Sequence, residues 1–411
     1  MYRKIKITLE CTCRNTVITF QSRLPSVSSG LILFNTTVAV GAADRLDKEL
    51  IKFCGIKMRN FVHGLVNYDE PYNGRGWTGS RGDICSSLER EILSKPKPAK
   101  LVFNTEATIV NINEGTVQVG SDKAVLTFDL IIGCDGGGSS ARAALKAQSP
   151  GFTVESTDLG NHSIMLHFDQ STSELDPKWL HIFSPDPTLS VAGAICGEKG
   201  PEEPRWFCQI GFSGKKSFAS PEEAEKFLKD ANPLLLKYAS KKSITDFSKR
   251  ECLPTGKAKK CSSLTAGRVV LLGDAGAPVP PIGQGVNAAM ESAVTLDRVI
   301  GETLPAALLS SHDDRSNISR TIGINFNKAW KPEVDALLNI ALQVDLSKWY
   351  TVPRILSSLL LGYSGLQAAK DSKLTYQQAR NRQVYGETTM GVLFVAAIGG
   401  VIYGIVNRWR K

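Results

Sequence analysis

The chain has 411 residues, 42% hydrophobic and 22% charged, with a formal net charge of +9. That is the composition of a globular protein long enough for two or three domains and a large core. The positive excess is small for the length and comes with no aromatic-interleaved basic patch, which argues against nucleic acid as a partner. The nine cysteines are scattered without a CxxC pair, so they read as reduced thiols rather than a zinc site.

Residues 1–24, MYRKIKITLECTCRNTVITFQSRL, are basic and rich in Ser and Thr, with Glu10 the one acid. The composition suits a targeting segment, a strand or sequence foreign to the fold, and the segment stays unassigned. RLDKELIKFCGIKM (45–58) has helical spacing, with Leu46, Leu50 and Phe53 on one face and Gly55 as its end. WTGSRGDICSSLEREILSK (77–95) predicts a turn into a second helix, capped by Asp83 and striped by Ile84, Leu88 and Ile92.

KLVFN (100–104), TIVNI (108–112) and GTVQVG (115–120) predict an antiparallel meander. LTFDLIIG (126–133) predicts one strand buried on both faces, running into Cys134-Asp135-Gly136-Gly137-Gly138 and a helix. Between 160 and 215, SIMLHF, WLHIF, LSVAGAIC and WFCQIGF read as antiparallel strands of a second sheet. SPEEAEKFLKDA is a surface helix capped by Ser220.

A second buried strand, RVVLLG (268–273), runs into Asp274, a proline loop and Gly283-Gln284-Gly285. From about 284 onward the pattern is mostly helical. Residues 390–406, MGVLFVAAIGGVIYGIV, carry no charge, and NRWRK follows. That predicts a C-terminal membrane anchor, with a buried core helix as the alternative.

The expected architecture is α/β: an incomplete Rossmann-type nucleotide-binding domain interrupted by a mainly antiparallel substrate-domain sheet, then a helical region and a transmembrane helix. The expected boundaries are 25–150 and 263–305 for the two parts of the nucleotide-binding domain, the first lacking its opening βαβ unit. The substrate sheet takes 151–262, the helical region 306–387 and the anchor 388–411.

Two acidic turns carry the chemistry. At Asp135-Gly136 the glycines let backbone amides approach a ligand beyond the strand end, or simply make a tight turn that Asp135 caps. The second turn is more specific. Asp274 can accept hydrogen bonds from sugar hydroxyls, Pro278, Pro280 and Pro281 stiffen the loop, and a glycine-opened helix start favours an anion or an electron-rich ring edge.

These residues resemble the flavin-dependent aromatic hydroxylases, the p-hydroxybenzoate hydroxylase family. The second flavin motif is matched by Gly273, Asp274, Ala275, Pro281, Gly283, Gln284, Gly285 and Asn287, and the Asp-Gly motif by Asp135 and Gly136. IKMRNFVH, PYNG, SRGDI, FNTEA, WLHIF and KLTYQQA are similar to segments of the kynurenine 3-monooxygenase branch, in order. The resemblance implies an FAD-dependent, NADPH-using monooxygenase acting with molecular oxygen on a small aromatic substrate. It also implies a mitochondrial outer-membrane or plastid-envelope location, with the catalytic part facing the cytosol. An oxygenase of an apolar lipid or isoprenoid, and an inactive truncated relative, are the alternatives.

By position, the resemblance makes Arg81 and Ala107 flavin contacts and gives Asp274 the ribityl chain. Val286 and Asn287 border the ring, and Tyr72 and Tyr376 line the substrate pocket. It implies no side-chain nucleophile. Three departures stand out. Residues 1–60 hold only Gly30, Gly41 and Gly55, so the GxGxxG turn for the FAD pyrophosphate is missing. Phe61 stands where kynurenine hydroxylases carry a carboxylate-binding arginine, with Arg59 two residues earlier. The proline loop is one residue short and lacks the histidine common after Gly-Asp-Ala.

Overall fold

A computed structural model describes residues 5–9, 16–20, 29–34, 42–61, 66–72, 74–95, 100–183, 189–280, 282–308, 315–342 and 373–409, with isolated positions from 353 to 371. The chain forms two compact units, Met1–Phe326 and Asn327–Lys411.

The first unit is built on two large sheets. One has six strands in the order Thr265–Ala266, Val269–Leu271, Leu130–Cys134, Thr16–Phe20, Ile5–Leu9, Lys100–Phe103. Its three central strands are parallel. Leu130, Ile131, Ile132, Val269, Val270 and Leu271 are all buried, as apolar runs covered on both faces require. The N-terminal segment that sequence leaves unassigned supplies two of these strands. Thr16–Phe20 runs parallel to Leu130–Cys134, with Phe20 opposite Cys134.

The other large sheet has seven strands: Leu253–Pro254, Asn161–Phe168, Gly200–Ser213, Ser190–Gly197, Trp179–Phe183, Gly55–Phe61, Val66–Pro71. Its pairings are antiparallel except for Trp179–Phe183 against Gly55–Phe61. Alternation places Ile164, Leu166, Phe168, Cys208 and Ile210 in one core with Leu228 and Phe247 of the helices Pro221–Ala231 and Lys241–Lys249. Ser220 caps the first of these helices by accepting from the Glu223 N–H.

Several expected elements differ in detail. The helix expected over 45–58 ends early: it spans Ala43–Glu49, and Leu50 is already extended at φ −121°, ψ 163°. Gly55 is a strand residue at φ +148°, where a Cβ would stand 2.3 Å from the Glu70 carbonyl oxygen. The meander is shifted by one strand. Lys100–Phe103 joins the six-stranded sheet, while Ala107–Asn111, Thr116–Val119 and Ala124–Thr127 form a sheet of their own. The single strand expected over 126–133 is therefore divided between two sheets. The second helix runs Arg81–Leu93, and its cap is Ser80, with Asp83 closing a capping box.

In the second unit Tyr376 is buried against Trp330, with ring centroids 6.2 Å apart and an edge-on angle of 70°. The Gln377 N–H donates to Glu333 Oε2 at 3.0 Å. The expected transmembrane helix is not found. Residues 388–409 are the back of one 34-residue helix, Tyr376–Trp409, whose front carries Arg380, Arg382 and Glu387. Its apolar run, residues 390–406, spans about 26 Å, less than the ~30 Å hydrocarbon core of a bilayer. Among the described residues no helix is long and apolar enough to cross a membrane. The fold class thus loses its transmembrane element.

Candidate functional site

Two strand ends of the six-stranded sheet, at Cys134 and Leu271, lie side by side and in parallel, Gly133 opposite Leu271. At the first, Gly136 takes the left-handed conformation at φ +78°. Asp135 is buried, and its carboxylate is fully engaged with the helix Ser140–Gln148. It accepts from the Ser140 N–H at 2.6 Å, Ser140 Oγ at 2.9 Å, the Ala141 N–H at 3.1 Å and the Ser139 hydroxyl. The structure therefore gives Asp135 the helix-capping role.

At the second strand end Gly273 also has positive φ, +54°, and a Cβ there would lie 2.8 Å from Ala289 Cβ. Its N–H donates to Ser292 Oγ of the helix Gly285–Leu308 at 3.2 Å. Ala275 is fully buried. Asp274 is exposed, yet burial by the surrounding protein pushes its carboxyl pKa up, opposed by the charges of Arg81 and Arg142. The carboxylate is thus reachable by solvent at the end of the strand, with protein packed around it. Arg81 is exposed at the start of its helix, close enough for its charge to act on Asp274.

Pro278 and Pro280 are buried, and Pro281 lies outside the described residues. Gly283 is exposed at φ +80°. Beyond it the glycine-opened helix begins at Gly285, where a Cβ would meet nothing within 4 Å. The first-turn amides of such a helix have no intrahelical acceptor. Gln284 and Asn287 point inward. Both are buried, and Asn287 Nδ2 donates to Gln284 Oε1 at 3.2 Å and to the Gly283 carbonyl at 3.3 Å. Val286 is half-buried and packs with Met290 against the large core.

Arg142, absent from the sequence-derived set, joins the two turns. It is 5% exposed. Nη1 donates to the carbonyls of Asp274 at 3.2 Å and Ala275 at 2.6 Å, and Nη2 to that of Gly137. Lys259 adds a second tie, from Nζ to the Gly137 carbonyl at 3.0 Å and from its N–H to the Pro278 carbonyl at 3.2 Å. Arg142 had one cue in sequence: an arginine on the apolar side of its helix, beside the buried Ala141 and Leu145.

The remaining sequence-derived positions lie elsewhere. Ala107 packs behind the turn, in the core that includes Leu271 and Ala275. Tyr72 is half-buried with its ring 5.5 Å from that of Phe53. Tyr376 belongs to the second unit and packs there as described above. Phe61 pairs with Val66 across a register shift, and its side chain lies outside the described residues.

The residues present fit the flavin end of FAD, on the evidence of the exposed Asp274 at the strand end, the left-handed Gly136 and Gly273, and a helix start at Gly285 where a Cβ would meet nothing within 4 Å. The pyrophosphate end differs. The strand beside Asp135 is TVITF, followed by Gln21-Ser22-Arg23 with no glycine before Gly30, and residues 21–28 lie outside the described part.

Comparison with known proteins agrees with this geometry. The chain is 29% identical over 212 residues to the kynurenine 3-monooxygenase of Drosophila willistoni, covering 49% of this chain and 45% of that protein. It is 27% identical over 272 residues to the kynurenine 3-monooxygenase of Dictyostelium discoideum, covering 64% and 57%. The chain thus spans about half the length of these relatives. A solved 2-methyl-3-hydroxypyridine-5-carboxylic acid oxygenase superposes with a TM-score of 0.61 at 16% identity, over 87% of this chain and 90% of that one. Klebsiella pneumoniae HpxO, solved with FAD and uric acid, superposes at 0.54 and 16% identity, over 90% of each chain. At such identities the structures speak for the fold alone. Residues 97–322, more than half of the chain and including both acidic turns and Arg142, match the family described as FAD binding domain, and the chain belongs to that family.

Proposed function

We propose that this chain is an FAD-dependent, NADPH-using monooxygenase that hydroxylates a small aromatic substrate, in the manner of the kynurenine 3-monooxygenases it resembles. The observation that carries the reading is Asp274, whose carbonyl is held by Arg142 just beyond a central strand and which is exposed to solvent there. Its carboxylate accepts hydrogen bonds from the ribityl hydroxyls. The first-turn amides of the helix from Gly285 stabilise negative charge on the ring edge. Pro278 and Pro280 hold the loop that walls the ring, and Arg81 balances the charge of Asp274. Tyr72 is the proposed substrate-side residue of the first unit. When bound, FAD supplies the redox chemistry, taking electrons from NADPH and passing them to oxygen so that one atom reaches the substrate. The protein's part is to bind, orient and keep water out.

A second reading, an oxygenase of an uncharged lipid or isoprenoid, is favoured by Phe61 where the resemblance places an arginine. The test begins with FAD added to the purified chain. Retention of flavin absorbance through gel filtration is expected, and a colourless protein refutes both readings. NADPH oxidation stimulated by a small aromatic compound, kynurenine or its neutral aromatic ketone half, then supports the first reading, and stimulation by an apolar lipid alone supports the second.

A further inference from the structure

The seven-stranded sheet has two unlike faces. One is sealed under helices, as described. On the other, pairing sets Leu180 beside Ile56 and Ile182 beside Met58. Gly193, opposite Phe207, lies on this face too. A Cβ there would stand 2.8 Å from Leu180 Cδ2 and 3.3 Å from Phe207 Cζ, so those side chains fill the space the glycine leaves. Phe53, Ile56, Met58, Tyr72, Leu180 and Ile182 form one apolar cluster. Phe53 and Ile56 are buried, while the other four are only half-buried and form its accessible surface.

The charges nearby are arranged unfavourably for an anion. Lys57 alternates to the opposite face, where Nζ lies 4.9 Å from the Trp179 ring centroid and 3.7 Å from Asp69 Oδ2. Arg205 shares the apolar face but stands two strands from Leu180, and its Nε donates to the Cys196 carbonyl. The ionisable residue that register places beside Ile56 is Glu70, a carboxylate.

We infer that this face is the substrate wall of the proposed oxygenase and that it selects an uncharged aromatic ring over an amino-acid zwitterion such as kynurenine. The inference rests on the monooxygenase reading and names its substrate class. A ligand carboxylate brought to this wall loses its water, meets no cation among the described neighbours and faces Glu70. An uncharged ring loses nothing comparable and gains the contact of four half-buried apolar side chains.

The test compares L-kynurenine with 2-aminoacetophenone, its aromatic ketone half without the amino acid. Binding to the full chain is measured by equilibrium dialysis, with and without FAD. The neutral ligand is expected to bind at least tenfold more tightly. Leu180→Ala should weaken it severalfold, and Glu70→Gln should narrow the gap by strengthening kynurenine. Equal or tighter binding of kynurenine overturns the inference, as does neutral-ligand binding indifferent to Leu180→Ala. A chain that takes no FAD but still binds the neutral ligand at this wall upholds the selectivity and overturns the oxygenase reading instead.

Discussion

Arg142→Met separates the scaffold of the site from its chemistry. The guanidinium is buried and satisfies carbonyls on both acidic turns: Asp274, Ala275 and Gly137. Methionine keeps most of the stem volume and removes every donor. The Gly137 carbonyl retains Lys259 Nζ at 3.0 Å, so its loss is partly covered. The carbonyls of Asp274 and Ala275 lose a charged donor, at about 1–3 kcal/mol for each group left unsatisfied. Against this stands the desolvation that a buried guanidinium no longer incurs, which recovers part of the loss. The net destabilisation expected is about 2–4 kcal/mol. Urea unfolding followed by tryptophan fluorescence measures it, and FAD retention should fall with it because the Asp274 turn is no longer held. Arg142→Lys, which reaches fewer carbonyls, should fall between the two. A Met variant within about 0.5 kcal/mol of wild type, the size of an ordinary surface substitution, would refute the claim that this residue joins the turns.

Other perturbations probe neighbouring links. Asp274→Asn should weaken FAD by roughly tenfold or more in a fluorescence titration, since charge-assisted hydrogen bonds contribute about 1.5–3 kcal/mol. The same variant should stabilise the flavin-free chain at neutral pH. A carboxyl whose folded pKa is raised favours folding only below its unfolded value, and that contribution is lost as pH rises through the folded value. Unfolding curves at pH 7 without FAD that show no gain would count against a walled-in Asp274. Gly273→Ala places a side chain at φ +54° and 2.8 Å from Ala289 Cβ, so a loss of at least ~1 kcal/mol is expected in urea melts. Glu49, which accepts from Arg90 Nη2 at 2.6 Å, has its pKa lowered to about 2, chiefly by that hydrogen bond. Its contribution is present above the unfolded value near 4.5 and is lost as pH falls toward 2. Stability of Glu49→Gln should therefore fall less steeply than wild type across that window, and parallel profiles would contradict the pairing.

What the sequence conveys about this chain follows the range of the interactions involved. Capping and strand runs are local, so the Ser220 cap, the Arg81 helix and the buried strands at 130 and 269 are legible from neighbouring residues. The choice between helix and strand over 45–58 is not. Leu46, Leu50 and Phe53 satisfy a helical period, but Ile51 and Lys52 pair with Thr78 and Trp77, and Gly55–Phe61 pairs with Trp179–Phe183 more than a hundred residues away. That pairing lets burial on a sheet override the local pattern. It also carries Tyr72 to the end of the edge strand Val66–Pro71, while Arg81, nine residues later, starts a helix from which its charge reaches Asp274.

The same contrast divides the site itself. Glycines that must take positive φ, at 136, 273 and 283, can be read from the motif because the backbone demands them. The roles of Gln284 and Asn287 cannot, and for Asp135 the motif leaves ligand approach and a helix cap equally open. Each matches a flavin motif, yet each is turned inward to hold its own helix start. Arg142 joins positions more than 130 residues apart and belongs to neither stretch that first draws the eye. The inward residues hold the two turns in shape around the exposed Asp274. Substituting them should therefore be felt first in stability and only then in flavin affinity, whereas Asp274 should show the reverse order.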